Sequence, residues 1–221
     1  MQAKQRNSQL TAMTEEVRGA FEEFGAKQKY DGRDGNAYRA AFLQANRAVS
    51  LLETIEKLND PKFFGEQIGL CRILQEVLEN ALTIGVGKSA TAEIRQKETA
   101  EHVIKEWERK GKGRIKRGKI RENVKEVQTW IEQLASSLNR GIHPDEEFCI
   151  RCIDVREKGW EEHGRANVTL ALQMTWLTLS LVAAMHGDSG LMVKGMQKWQ
   201  EINQIHQQIV AASLEEANAK R

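Results

Sequence analysis

Cys149 and Cys152 stand three residues apart, with His143 six residues before the pair and His163 eleven after it. That is metal-ligand spacing: zinc takes four soft or borderline ligands in a tetrahedron, and Cys-x-x-Cys supplies two of them. A specific match would add a second tight pair, and here only one histidine lies on each side. On a helix, Cys149 and Cys152 project to similar sides, and Cys152 joins an apolar stripe with Phe148 and Val155. Reduced cysteine packs well as a small apolar group, so core packing is the preferred reading. Cys149, Cys152 and His163 remain the candidate zinc ligands, so no cofactor is expected, with zinc as the alternative.

Gly85-Val86-Gly87-Lys88-Ser89 resembles the end of a phosphate-binding loop. Such a loop needs a glycine at position 82, where Leu82 stands, and a preceding strand, where the pattern is helical. A helix C-cap followed by an N-cap explains the same residues. No Ser/His/Asp or Cys/His arrangement suggests nucleophilic catalysis. The five histidines (His102, His143, His163, His186 and His206) fall on different segments, so no enzymatic role is expected.

The charge distribution is more informative. Residues 109–121 hold eight cations (Arg109, Lys110, Lys112, Arg114, Lys116, Arg117, Lys119 and Arg121) and no acid. The whole chain carries +2, so the other 208 residues carry 2 − 8 = −6. Such a segment repels itself unless an anion is near. It neutralises phosphates or anionic head groups by counterion release and Coulomb attraction. Gly111, Gly113 and Gly118 suggest an arm that moulds to a backbone, and the nearest aromatic, Trp107, gives little scope for base stacking. The blander reading is a solvated charged loop. Nuclear import is a second use of the same cluster.

The elements that must position these residues are helical. There is no sustained period-two alternation, and only two prolines interrupt the 221 residues. An acidic helix is expected over about 8–27, with Leu10, Met13, Val17, Phe21 and Phe24 on one face. A second carries Tyr38, Phe42, Ala45, Val49 and Leu52 and ends at Asp60-Pro61, because the residue before proline is pushed out of the helical region. A third shows Phe64, Ile68, Cys71, Leu74, Leu78 and Ala81. A polar helix follows over about 89–109, then one with Ile120, Val124, Val127, Ile131, Leu134 and Leu138. His143-Pro144 opens a sixth, with proline at its first position. Gly164 precedes a charge-free helix, and Gly187-Asp188-Ser189 separates that from a last one with Met192, Met196, Trp199, Ile202, Ile205 and Ile209. Trp160 falls in a polar loop, as a staple over the core or a partner contact. The Met-rich stretch of Met174, Met185, Met192 and Met196 reads as core before it reads as an adaptable interface.

The fold class is therefore all-α, about eight helices in two packed sub-bundles without significant sheet. The expected division is 1–88, and 89–221 with 109–121 as a basic connector. The charge-free stretch 166–185 has the length of a bilayer-spanning helix. Asn167, Thr169, Gln173, Thr175, Thr178 and Ser180 within it favour a buried central helix instead. The residues after Met1 are polar, which predicts neither a secretory signal nor a transmembrane anchor. The odd cysteine count predicts reduced thiols in a cytoplasmic setting.

The order of a basic segment, an apolar helix ending in Leu138-Asn139-Arg140-Gly141, Cys149-Ile150-Arg151-Cys152, then His163 and a Met- and Ala-rich helix reaching Gly187-Asp188-Ser189-Gly190 resembles the matrix proteins of orthomyxoviruses. The likeness covers about 109–199, and the family's second histidine close after the first has no counterpart here. The resemblance implies an all-helical structural protein of the virion that binds RNA and anionic membrane and self-assembles. The expectation is a non-enzymatic assembly protein with nucleic acid or anionic lipid as partner and self-association through helical faces. The alternative is a helical protein–protein adaptor or chaperone-like module without a nucleic-acid role.

Overall fold

The computed structural model describes residues 2–27, 35–85, 97–101, 103, 130, 133, 138–139 and 145–219. The fold is all-α, and among the described residues there is no strand. Helices α1 (Gln2–Lys27), α2 (Gly35–Lys57) and α3 (Phe64–Gly85) form the first part, with a 3-10 turn at Pro61–Phe63 between the last two. Helices α4 (Glu146–Lys158), α5 (Glu161–Met185) and α6 (Ser189–Ala219) form the last. The expected helix over 89–109 is helical at 97–101 and 103. Of the next one, residues 130, 133, 138 and 139 are described, and all are helical. The expected boundary at 88/89 lies outside the described residues.

One apolar core runs through all six helices, from Leu10 and Phe24 through Leu52, Leu74 and Val155 to Trp176 and Ile202. At its centre is α5, which packs against α1, α2, α3 and α6. It is long and apolar enough to cross a membrane by length and composition, and here it lies buried within the bundle. Its internal hydroxyls are met locally, whereas the buried Gln173 amide has no hydrogen-bond partner among the described residues. The hydroxyls of Thr175, Thr178 and Ser180 donate to the carbonyls of Ala171, Met174 and Trp176, four residues back, at 2.8, 2.8 and 2.9 Å. A hydroxyl bonded to its own helix can be surrounded by apolar neighbours at little cost.

The turns follow local chemistry. Asp60 accepts from the Lys62 amide at 3.0 Å and holds the α2–α3 reversal that Asp60-Pro61 predicts. Asp188 accepts from the Leu191 amide at 2.9 Å, behind Gly187 at φ +75°. Two boundaries differ from expectation. The cap of α4 is Asp145, which accepts from the Phe148 amide at 2.7 Å, so Pro144 lies before the cap rather than at the first helical position. An aspartate side chain satisfies an otherwise unmet amide, which proline cannot do. Gly164 is not a break but the interior of α5. The break is Gly159, at φ +62°, the left-handed conformation that glycine adopts without strain. A Cβ at Gly164 would lie 3.0 Å from Asn59 Oδ1, so that glycine serves close packing on the α2–α3 turn.

The stripe expected for α3 is buried residue for residue. That of α2 is buried at Ala45, Val49 and Leu52 and partly at Phe42, is widened by the buried Ala40, Ala41, Ala48 and Ile55, and is exposed at Tyr38. In α6 the buried line is Gly195, Ile202, Ile209 and Ser213, and Met196 is exposed. Gly195 sets this line, because a Cβ there would stand 2.0 Å from Ser180 Oγ and 3.2 Å from the Trp176 carbonyl oxygen. Gly195→Ala is expected to cost about 1–3 kcal/mol through overpacking. The thermal melting temperature should fall, and Ser180→Ala in the same chain should restore only part of it, since the Trp176 carbonyl stays in place.

Candidate functional site

Residues 109–121, which carry the eight expected anion-binding cations, lie outside the described residues, as does His143. The helical body itself shows how its own charges are disposed. Many of its cations face carboxylates of the same chain. Lys198 bridges Glu16 and Glu201 at 3.0 Å each, and Lys194 approaches Glu16 at 3.5 Å. Lys27 meets Glu23 at 2.9 Å, Lys158 meets Asp154 at 3.1 Å, and Arg18 lies 3.8 Å from Glu53. These exposed pairs contribute little to stability, but they cancel the positive potential of the surface they cover.

The most heavily buried charge is Arg165, 2% exposed, at the start of α5. Its Nε donates to Asn7 Oδ1 of α1 at 2.7 Å and its Nη1 to Glu162 Oε1 at 2.6 Å, while Nη2 binds Glu161. Arg6 of α1 reaches the same Glu162 oxygen at 2.8 Å. The Glu162 amide donates to Glu216 of α6 at 3.2 Å. Beside this cluster, Gln67 of α3 donates to the Ile55 carbonyl of α2 at 3.2 Å and accepts from Asn167 of α5 at 3.3 Å. One polar layer thus ties five helices together at one end of the bundle. Composition and periodicity do not reveal it. The available signal was Glu161-Glu162 three and four residues before Arg165, the spacing at which helical side chains meet.

His163 belongs to this layer. Its ring stacks on Trp160 at 5.2 Å and stands edge-on to Phe64 at 5.8 Å. Its Nδ1 lies 3.8 Å from Glu216, beyond hydrogen-bond reach. Burial, with the Arg151 guanidinium adding to it, outweighs that carboxylate and pushes the imidazole pKa down to about 4. Trp160 is itself buried, with the Lys158 ammonium 5.0 Å above its ring, so it is a staple between α4 and α5.

The two cysteines of α4 part company. Phe148 and Val155 are buried as their stripe predicts, and Cys152 beside them is partly buried. Cys149 is exposed, which overturns the core-packing reading for that residue. The reason is geometric: only one face of α4 meets α3 and the 3-10 turn, and Cys149 is turned away from it with Ile150 and Ile153. Among the described residues no three or more His, Cys, Asp or Glu side chains gather as a metal site.

Comparison with protein families, with characterised proteins and with solved structures finds no match to this chain.

Two outcomes test the polar layer. Arg165→Met should cost about 1.5–3 kcal/mol, because the part-buried Glu162 loses its charge-assisted bond to the guanidinium and keeps only Arg6, and chemical denaturation reads this directly. His163 is held neutral in the fold but protonates near its ordinary value of 6.5 when unfolded. Its contribution is then complete above about pH 6.5 and is lost progressively as pH falls toward 4. His163→Phe, which keeps an aromatic ring between Trp160 and Phe64, should flatten the decline in urea midpoint across that window.

Proposed function

We propose that this chain is a non-enzymatic helical assembly protein that binds a polyanion, RNA or an anionic membrane, through the cations at 109–121 and self-associates through its helical faces. The observation that carries this reading is the contrast between the paired cations of the described body and the acid-free sequence of the connector. In the body, cations such as Lys27, Lys158, Lys194 and Lys198 are matched to carboxylates of the same chain. In the connector, eight cations follow one another with no acid among them, while the remaining 208 residues sum to 2 − 8 = −6. A positive segment on a mildly negative body directs a polyanion to that segment and away from the rest. Self-association is supported by large apolar side chains left on the surface: Ile150 and Ile153 on α4, and Val193, Met196 and Leu214 on α6. The resemblance of 109–199 to orthomyxovirus matrix proteins agrees with both parts of the reading.

The same apolar residues support a second reading, an adaptor that docks another protein without a polyanion role. The two separate cleanly. Lys116→Glu with Lys119→Glu should weaken binding to single-stranded RNA and to phosphatidylserine vesicles by about tenfold or more at low salt. The slope of log affinity against log salt should become shallower by about 1.4 for single-stranded RNA, at roughly 0.7 per lost phosphate contact. Affinity unchanged at every ionic strength would remove the polyanion reading, and a protein partner retained through nuclease treatment and high salt would favour the adaptor.

A further inference from the structure

The three thiols of this chain occupy three different environments. Cys71 is fully buried, donates to the Asn167 carbonyl at 3.6 Å, and burial pushes its pKa up to about 12. It keeps its proton and is shielded from any reagent. Cys149 is exposed on α4, and Cys152, one turn further on, is half-buried. The Cys152 sulfur lies 3.4 Å from where a Cβ on Gly65 would stand, so the neighbouring helix presents only backbone at that point.

Residues three apart on an α-helix have Cα atoms about 5 Å apart, inside the 4.4–6.8 Å range that disulfides span. Their Cβ atoms, about 5–6 Å apart, need to approach to about 4 Å. That approach tightens one turn near the start of α4, where the chain is held by the Asp145 cap and by Phe148. A groove of about 430 Å³ between α3 and α4 opens onto Cys152, floored by Gly65 and Gly69, with Lys62 and Arg156 among its lining residues. Lys62 is paired with Asp60 at 3.0 Å. Arg156 makes no ion pair among the described residues and leaves a cation in the groove that Cys152 lines.

We propose that Cys149 and Cys152 are a reversible dithiol–disulfide pair whose reaction partner is a small carboxylate-bearing disulfide of the glutathione type. The exposed Cys149 thiolate attacks one sulfur of the small disulfide, forming a mixed disulfide and expelling one thiolate. The Cys152 thiolate then attacks the Cys149 sulfur, closes the 149–152 bond and expels the second. The two protons given up by the cysteines end on the two expelled thiolates, so two protein thiols are oxidised and one small disulfide becomes two small thiols. Carboxylates of the incoming molecule are attracted to Arg156. Burial, with Cys149 and Glu66 adding to it, raises the Cys152 pKa, which suits that residue to the second step, where the mixed disulfide already holds its target in place. Closure strains the turn, so excess reduced glutathione reopens the bond.

The test is incubation of the reduced full-length protein with oxidised glutathione, read by intact mass and peptide mapping. The wild type should lose two hydrogens, with the bond mapped to Cys149 and Cys152 and Cys71 still a free thiol. Cys152→Ser should stop at one glutathione on Cys149. Cys149→Ser should react roughly tenfold or more slowly, since only the half-buried thiol of the pair remains. A wild type that keeps a glutathione adduct without closing, that links into disulfide dimers, or that stays fully reduced overturns the proposal.

Discussion

The burial of α5 on nearly every side is the constraint from which the rest of the structure follows. A helix is tolerated at the centre of a bundle when nearly all of its polar groups are met within the protein, and in α5 the Gln173 amide is an exception among the described residues. The run 166–185 has no charge, and its threonines and serine return their hydroxyls to their own helix. The surrounding helices then need only present complementary shape. The alanines of α2 and Gly195 of α6 do so by letting backbones approach closely.

Where the charge-free run ends, charge returns abruptly as Arg165, and the fold meets it with a layer of partners. Asn7, Glu161 and Glu162 each accept from the guanidinium, and Arg6 and Glu216 join Glu162 to the first and last helices. A buried cation is expensive in isolation, so its worth here lies in specificity. Its satisfied geometry exists only when α1, α5 and α6 have the correct register. The pairing of charges also extends across the outer surface of the described body, at Lys27, Lys158, Lys194 and Lys198.

Much of the helical plan was legible in residue order. The α3 stripe, the reversal at Asp60-Pro61 and the turn at Gly187-Asp188 each follow from periodicity or turn chemistry. They appear in the structure where those rules put them. Readings that depended on which way a helix faces were less secure. Met196 sits on an apolar stripe yet is exposed, because Gly195 brings a neighbouring face of α6 against α5, and Tyr38 is exposed in the first turn of an otherwise buried α2 stripe. Gly159 and Gly164 are the same residue type five positions apart, one a helix break and the other a packing contact. Only backbone conformation and the nearness of Asn59 distinguish them. Among the site residues, Cys152 followed its stripe and Cys149 did not, since a short helix touching the bundle along one face leaves its other face in solvent.

By itself the sequence determined the fold class, the centrality of the charge-free helix and the division between a basic connector and a mildly acidic body. Each is a property of composition and spacing along one dimension. Tertiary structure alone decided the Arg165 layer, the neutral buried state of His163 and the separate fates of three chemically identical thiols. These depend on which residues from distant parts of the chain converge, and on how much water they exclude, and neither is written in local periodicity.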